Sequence, residues 1–322
     1  MDLRTKHNLY IDIHQAIEAS ICGLTSTQEP DYVAALTTKL PHALRVILNR
    51  NIPTMQFNVG GCFIHQKPLA KFCAPGLNKM KSPEIGDLLI VYKEILANGE
   101  CLYNALLLQA KKTNDIYYTP IHPNDKHQLL LYTKWPRFQY QRAGSLNGLL
   151  RSINPKTITP GAQYLLIDEH NISHSPLGPC TFWCAKADDI LIAANSLSHQ
   201  IVDFIDFQTG KPFVSLSIGM DHWSKMIWDL ITISANSYFN RRKAGYTHHP
   251  RLALIFTQFL TEQSQEIRLE IDAERMADSM GNNLKNNRGG LSGDDIGNDI
   301  EDYIGGISIL YIEGTVLQRL EN

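Results

Sequence analysis

Asp87, Gln109 and Lys111 are the residues of this 322-residue chain whose types and spacing could do chemistry together. They lie in Gly86–Lys112, which reads GDLLIVYKEILANGECLYNALLLQAKK. Two apolar runs, Leu88–Val91 and Leu106–Leu108, flank a turn built on Asn98-Gly99, so the segment folds into a buried hairpin. Folding it there brings Asp87 on one run and Gln109 and Lys111 on the other to the same rim. A carboxylate, an amide and an ammonium at one rim suit a reaction in which water is activated and developing charge is stabilised.

The register imposes a condition on that reading. With Asn98-Gly99 as a two-residue loop, Asp87 pairs with Ala110, and Gln109 and Lys111 point to the other face. With a three-residue loop closed by Leu96 and Glu100, and Gly99 left-handed in a bulge, Asp87 pairs with Gln109. The three polar residues then share a face. A catalytic hairpin therefore demands the odd loop.

The elements around the hairpin follow from periodicity and breakers. Residues 8–22 are predicted helical, with Ile11, Ala16, Ile17 and Ile21 on one face; His14 and Glu18, four apart, project from one side. A second helical stretch over 31–49 contains Pro41, which predicts a break into two helices. Thr54–Val59 and Cys62–His65 read as short strands, and 125–132 as a short helix or strand. Beyond a Gly/Ser/Asn/Pro-rich stretch at 142–160, a strand is predicted at 163–168, a helix at 196–207, a long helix at 221–243 capped by Asp221, a loop at 281–298 and a closing strand at 307–317. The fold class is mixed α+β. The stretch at 142–160 divides the chain into 1–145 and 155–322, the second part being either a separate α+β region for substrate or partner recognition or an extension of one mixed sheet.

Asp at one hairpin end and Gln-Ala-Lys at the other resemble the PD-(D/E)xK nuclease superfamily, in the Gln-containing form of Mrr-like restriction endonucleases. The resemblance rests on residues 84–112, and Glu18 fits the acidic helix that often precedes this core. It implies a restriction-endonuclease-like mixed β-sheet flanked by helices, and a metal-dependent endonuclease hydrolysing DNA, with bacterial anti-phage defence as a setting. It further implies Mg²⁺ (or Mn²⁺) held by Asp87, the Ala110 carbonyl and the Gln109 side chain, with Glu18 supplying a second carboxylate. Lys111 would orient or help deprotonate the attacking water. Two departures stand out. Gly86, not proline, precedes Asp87, and Gln109 replaces the usual acid, so the metal depends on a further carboxylate from Glu18 or Glu84. The alternative is a non-catalytic module with a degenerate nuclease fold that binds a partner protein or nucleic acid.

Net charge is −2, which argues against a protein that coats DNA non-specifically but leaves room for a local basic groove. Lys67, Lys71, Lys79 and Lys81 form one basic stretch. Arg241, Arg242 and Lys243, followed by His248, His249 and Arg251, form another, and the first three are the candidate phosphate contacts. The six cysteines are scattered and read as reduced thiols of a cytoplasmic protein. Cys62, His65 and Cys73 lack an evident fourth zinc ligand; a structural zinc site of Cys62 and Cys73 with Cys180 and Cys184 is the weaker reading. The four tryptophans read as core. DNA is the expected partner, with partner subunits or a second copy of the chain also expected, and no membrane.

Overall fold

The computed structural model describes residues 1–24, 28–64, 68–73, 82–168, 170, 174–175, 177–215, 219–240 and 306–317. Its centre is one mixed sheet of eight strands. In chain order these are β1 (Met55–Cys62), β2 (Leu88–Ile95), β3 (Cys101–Thr113), β4 (Ala162–Asp168), β5 (Phe182–Ala185), β6 (Ala193–Ser196), β7 (Lys211–Phe213) and β8 (Ser308–Val316). The spatial order is β1-β8-β2-β3-β4-β5-β6, with β7 on the first part of β3. Pairings are antiparallel except β8 with β2 and β3 with β4.

The central strands are apolar at successive positions because both faces of the sheet are covered. Leu89, Val91, Leu107 and Leu166 belong to one core; Leu88, Ile90, Leu108 and Ile167 belong to the other. Each such fully buried aliphatic side chain contributes about 1.5–3 kcal/mol. Helices α1 (Leu3–Ile21), α2 (Glu29–Thr38), α3 (Leu40–Asn51) and α5 (Leu197–Ile205) supply the second core. Helices α4 (Lys126–Lys134) and α6 (His222–Asn240) cover the first, beside a small sheet of residues 69–71, 138–141 and 150–151. Asp229 on α6 takes a two-pronged ion pair from Arg151 at 2.7 and 3.0 Å and a hydrogen bond from Tyr140 at 2.9 Å. Removing one partner of such a buried pair costs about 3–5 kcal/mol.

The break at Pro41 is real: it stands at the start of α3, where a missing N–H is harmless. The strand expected over Thr54–Val59 runs on through Gly60 and Gly61 to end at Cys62, and Phe63 and Ile64, expected in a second strand, are not strand. Gly61 lets α2 approach, since a Cβ there would lie 2.1 Å from the Thr37 carbonyl oxygen. The tryptophans Trp135, Trp223 and Trp228 are core. Trp135 stacks on Tyr132 and meets Trp223 edge-on.

The stretch at 142–160 does not separate two sheets. β1, β2 and β3 precede it and the other five strands follow it, and all belong to one sheet. β8 inserts between β1 and β2, so the extension of one mixed sheet is the arrangement found. Arg241, Arg242, Lys243, Lys67, Lys79, Lys81, His65, His248, His249, Arg251 and the 281–298 segment lie outside the described residues.

Candidate active site

The β2–β3 hairpin has the odd loop. Leu88 faces Leu108 and Ile95 faces Cys101, and the same register sets Leu96 opposite Glu100 and Asp87 opposite Gln109. Leu96 N–H donates to Glu100 O and Gly99 N–H to Leu96 O, both at 2.8 Å. Gly99 has φ +84°, the left-handed bulge residue such a loop requires. Asn98 Oδ1 accepts from Glu100 N–H at 2.9 Å.

At the open end the polar residues meet as the register demands. Gln109 Nε2 donates to Asp87 Oδ2, and Ala110 N–H donates to the same oxygen at 2.7 Å. Asp87 N–H donates to Leu108 O at 2.8 Å. Lys111 Nζ is paired with Asp125 Oδ2, at the start of α4. The same helix fixes the approach to Asp87, because the Tyr132 hydroxyl donates to Ile85 O at 2.8 Å. The glycine before Asp87 is explained by space. A Cβ on Gly86 would lie 2.7 Å from Leu107 Cδ1 and 3.1 Å from the Tyr132 oxygen, both in the core.

Gln109, Ala110, Lys111 and Asp125 line a cleft of about 420 Å³ with Glu84, Gln128, Tyr164 and Glu29. Asp87 is not itself on the lining but is held by Gln109 and Ala110, which are. The Glu84 segment is pinned by Ile85 N–H to Pro68 O at 3.0 Å and Ala70 N–H to Pro83 O at 2.8 Å. Burial drives the Tyr132 phenol well above its ordinary value, and the nearby Tyr164, Asp87 and Glu84 groups add to the rise. Burial likewise raises the Tyr164 phenol, with a smaller push from Asp125. Both phenols are therefore neutral donors at any working pH. Three buried polar atoms on the cleft find no hydrogen-bond partner among the described residues: Gln109 Oε1, Gln128 Nε2 and the Tyr164 hydroxyl. Buried polar atoms normally have partners, so these three set the lining apart from an ordinary apolar core.

Glu18 does not join this site. α1 packs on the other face of the sheet through Leu9, Ile13 and Ile17. The Glu18 carboxylate accepts from Thr181 N–H at 2.9 Å and from its hydroxyl at 2.8 Å. The expectation that it supplies the second carboxylate to Asp87 is corrected: the helix that carries it covers the wrong face. Glu84 lines the cleft in its stead. Glu29, whose carboxylate accepts Lys112 N–H at 2.9 Å, lines it too. Sequence reasoning missed Glu29, Asp125, Gln128 and Tyr164. The available signal for Asp125 was an acid opening an apolar helix; Gln128 and Tyr164 carry none, being set by how α4 and β4 pack.

Cys62 is buried and Cys73 exposed; burial pushes the Cys62 thiol up to about 12. No helix among the described residues is long and apolar enough to cross a membrane. Comparison of the chain with protein-family models, with curated proteins and with solved structures finds no match.

Proposed function

We propose that the cleft at the open end of the hairpin hydrolyses phosphodiesters with a divalent cation, and that the protein is an endonuclease acting on DNA. Defence against foreign DNA is the setting that accords with it. One observation carries the reading. The odd loop sets Asp87, Gln109 and Lys111 on one face, with Gln109 bonded to Asp87 and Lys111 paired with Asp125, and Gln109, Lys111 and Glu84 line one cleft.

The donor set fits a hard cation. Asp87 and Glu84 offer carboxylates, and Gln109 Oε1 is a neutral oxygen with no other partner among the described residues; the Ala110 carbonyl is a further candidate. Mg²⁺ or Mn²⁺ bound there would supply a Lewis acid and an activated water. The chain's own residues do the rest. Gln109 Nε2 and Ala110 N–H hold Asp87 in one orientation. Asp125 holds the Lys111 ammonium at the rim, where it offsets charge on the phosphate and orients water. The neutral Tyr164 hydroxyl and Gln128 amide donate to non-reacting oxygens of the substrate. Arg241, Arg242 and Lys243 remain proposed phosphate contacts, a cytoplasmic location remains part of the proposal, and so does assembly with partner subunits or a second copy.

A second reading, a binding module that keeps the cleft without catalysis, is favoured by one observation. Asp87 and Lys111 already carry partners within the chain. Incubation with plasmid, linear duplex and single-stranded DNA, and with RNA, under Mg²⁺, Mn²⁺ or EDTA separates the two. Cleavage that EDTA abolishes is expected. Asp87→Ala and Lys111→Ala should each reduce it at least about 10²-fold with the circular dichroism unchanged. Cleavage that survives both substitutions rejects the site, and tight DNA binding without cleavage in any metal favours the module.

A further inference from the structure

The residue that the cleft does not use belongs to another cluster. His14 and Glu18 stand one turn apart on α1, and Cys180 immediately precedes Thr181, whose N–H and hydroxyl hold Glu18. One ligand atom from each of the three, an imidazole nitrogen, a carboxylate oxygen and a thiol sulfur, lies within 4.8 Å of the others. His14 and Cys180 are buried and Glu18 is half-buried.

A hydrolytic reading of this Cys-His-Glu set fails on access. Cys180 is 2% exposed, and burial, reinforced by the Glu18 carboxylate, pushes its thiol up to about 12. A nucleophilic cysteine needs the opposite environment. The Cys180 thiol donates to Phe182 O at 3.5 Å and Glu18 accepts from Thr181, so both have partners within the chain, and an acid, an imidazole and a thiol still converge at one point between a helix and a strand.

We propose that His14, Glu18 and Cys180 form a zinc-type metal site, separate from the Mg²⁺ cleft and on the other face of the sheet. The ligand chemistry chooses the metal. One nitrogen, one oxygen and one sulfur suit Zn²⁺ and its borderline neighbours, whereas Mg²⁺ takes oxygens. Tetrahedral ligation with Zn–N near 2.1 Å and Zn–S near 2.3 Å sets ligand atoms roughly 3.5 Å apart. The three atoms need to close by little more than ~1 Å. Thr181 then does what partners of ligating carboxylates do, fixing the oxygens while leaving lone pairs for the metal. Three protein ligands leave a fourth position for water or an added group. The site clamps α1 to the start of β5 across more than 160 residues of chain, so its first consequence is stability.

The test uses the full chain, reduced, stripped with a chelator and titrated with Co²⁺ and Zn²⁺. One equivalent of Co²⁺ should bind with a thiolate-to-cobalt charge-transfer band, and Zn²⁺ should displace it. Cys180→Ser should abolish the band. His14→Gln and Glu18→Gln should weaken Zn²⁺ binding at least about 10-fold, while Cys22→Ser, at an exposed thiol, should leave it unchanged. No band in the native chain, or a band that persists in Cys180→Ser, overturns the proposal. If Cys180→Ser does not fold, the His14 and Glu18 variants decide: unaltered Zn²⁺ affinity in both also overturns it. None of these readouts involves nucleic acid, so the cleft can fail as a nuclease without touching this result.

Discussion

The cleft and the α1 cluster are assembled in opposite ways. In the cleft, Asp87 and Gln109 are 22 positions apart and meet because one hairpin closes, and Lys111 meets Asp125 14 positions on. In the cluster, His14 and Glu18 are neighbours on a helix, but Cys180 arrives from the far side of the chain. Their chemistry differs as well. The cleft offers oxygens and an ammonium beside buried polar atoms that have no partner among the described residues. The cluster offers nitrogen, oxygen and sulfur, with the carboxylate already doubly held by Thr181. The oxygens of the first are of the kind that suits a hard cation, and the mixed donors of the second the kind that suits a borderline one.

That contrast is broken most severely by exchanging carboxylates for amides. Glu84→Gln should lower Mg²⁺-dependent cleavage by about 10²-fold, the scale of one lost charge-stabilising group, and leave Co²⁺ uptake at the cluster intact. Glu18→Gln should do the converse, weakening metal uptake at the cluster at least about 10-fold and leaving cleavage unchanged. If Glu84→Gln cleaves at the native rate, the second carboxylate of the cleft is another residue, with Glu29 the next in place.

A smaller effect isolates the turn from the chemistry. Nothing lies within 4 Å of where a Cβ on Gly99 would stand, so Gly99→Ala has only the left-handed backbone to contend with. It should cost roughly 1–2 kcal/mol, measured as a lower urea midpoint with unchanged slope. The rate of cleavage per folded molecule should hold. A neutral substitution would mean that the turn does not have the left-handed residue on which the register of Asp87 and Gln109 depends.

The difference between the regions is also a difference in what the sequence could say. The hairpin was legible, because Asn98-Gly99 and two short apolar runs are local signals; the loop length stayed open, and the sequence supplied only the condition that a catalytic hairpin needs the odd one. Pro41 and Asp221 marked helix ends for the same local reasons. Which face of the sheet α1 covers was not legible, since Leu9, Ile13 and Ile17 would bury as well on either. Glu18 therefore reads as a partner for Asp87 and is instead held by Thr181 on the other face, though its place one turn from His14 was visible. The place of β8 between β1 and β2 was equally hidden. Its apolar run announces a buried strand, but its partners begin more than 200 residues earlier, and nothing local selects them. Gly60-Gly61 misled in the other direction: it reads as a break and is a contact.

The smallest effects compare the helices that frame the two regions. α1 and α6 have 19 residues each, lie on opposite faces and begin with an aspartate cap. Asp221 accepts from the N–H groups of Trp223 at 2.9 Å and Ser224 at 3.2 Å and from the Ser224 hydroxyl at 2.6 Å. Asp2 accepts from Thr5 N–H at 3.0 Å and its hydroxyl at 2.6 Å, in full exposure to water. For Asp221, burial works against the charged form, but the Ser224 and Trp223 hydrogen bonds prevail and hold its carboxyl below the usual range. For Asp2, the Thr5 bonds lower it with little opposition. Asp221→Ala should cost about 1 kcal/mol and Asp2→Ala less, because water replaces an exposed cap readily. A carboxyl with a depressed folded pKa stabilises fully above its unfolded value, near 3.9. That stability is lost as pH falls through the folded value. The cost of Asp221→Ala should therefore be constant from pH 7 to about 5 and shrink in stronger acid. Urea unfolding at pH 7, 5 and 3 checks this: a cost that grows on acidification would mean that the Asp221 carboxyl is not held in its charged form by the cap.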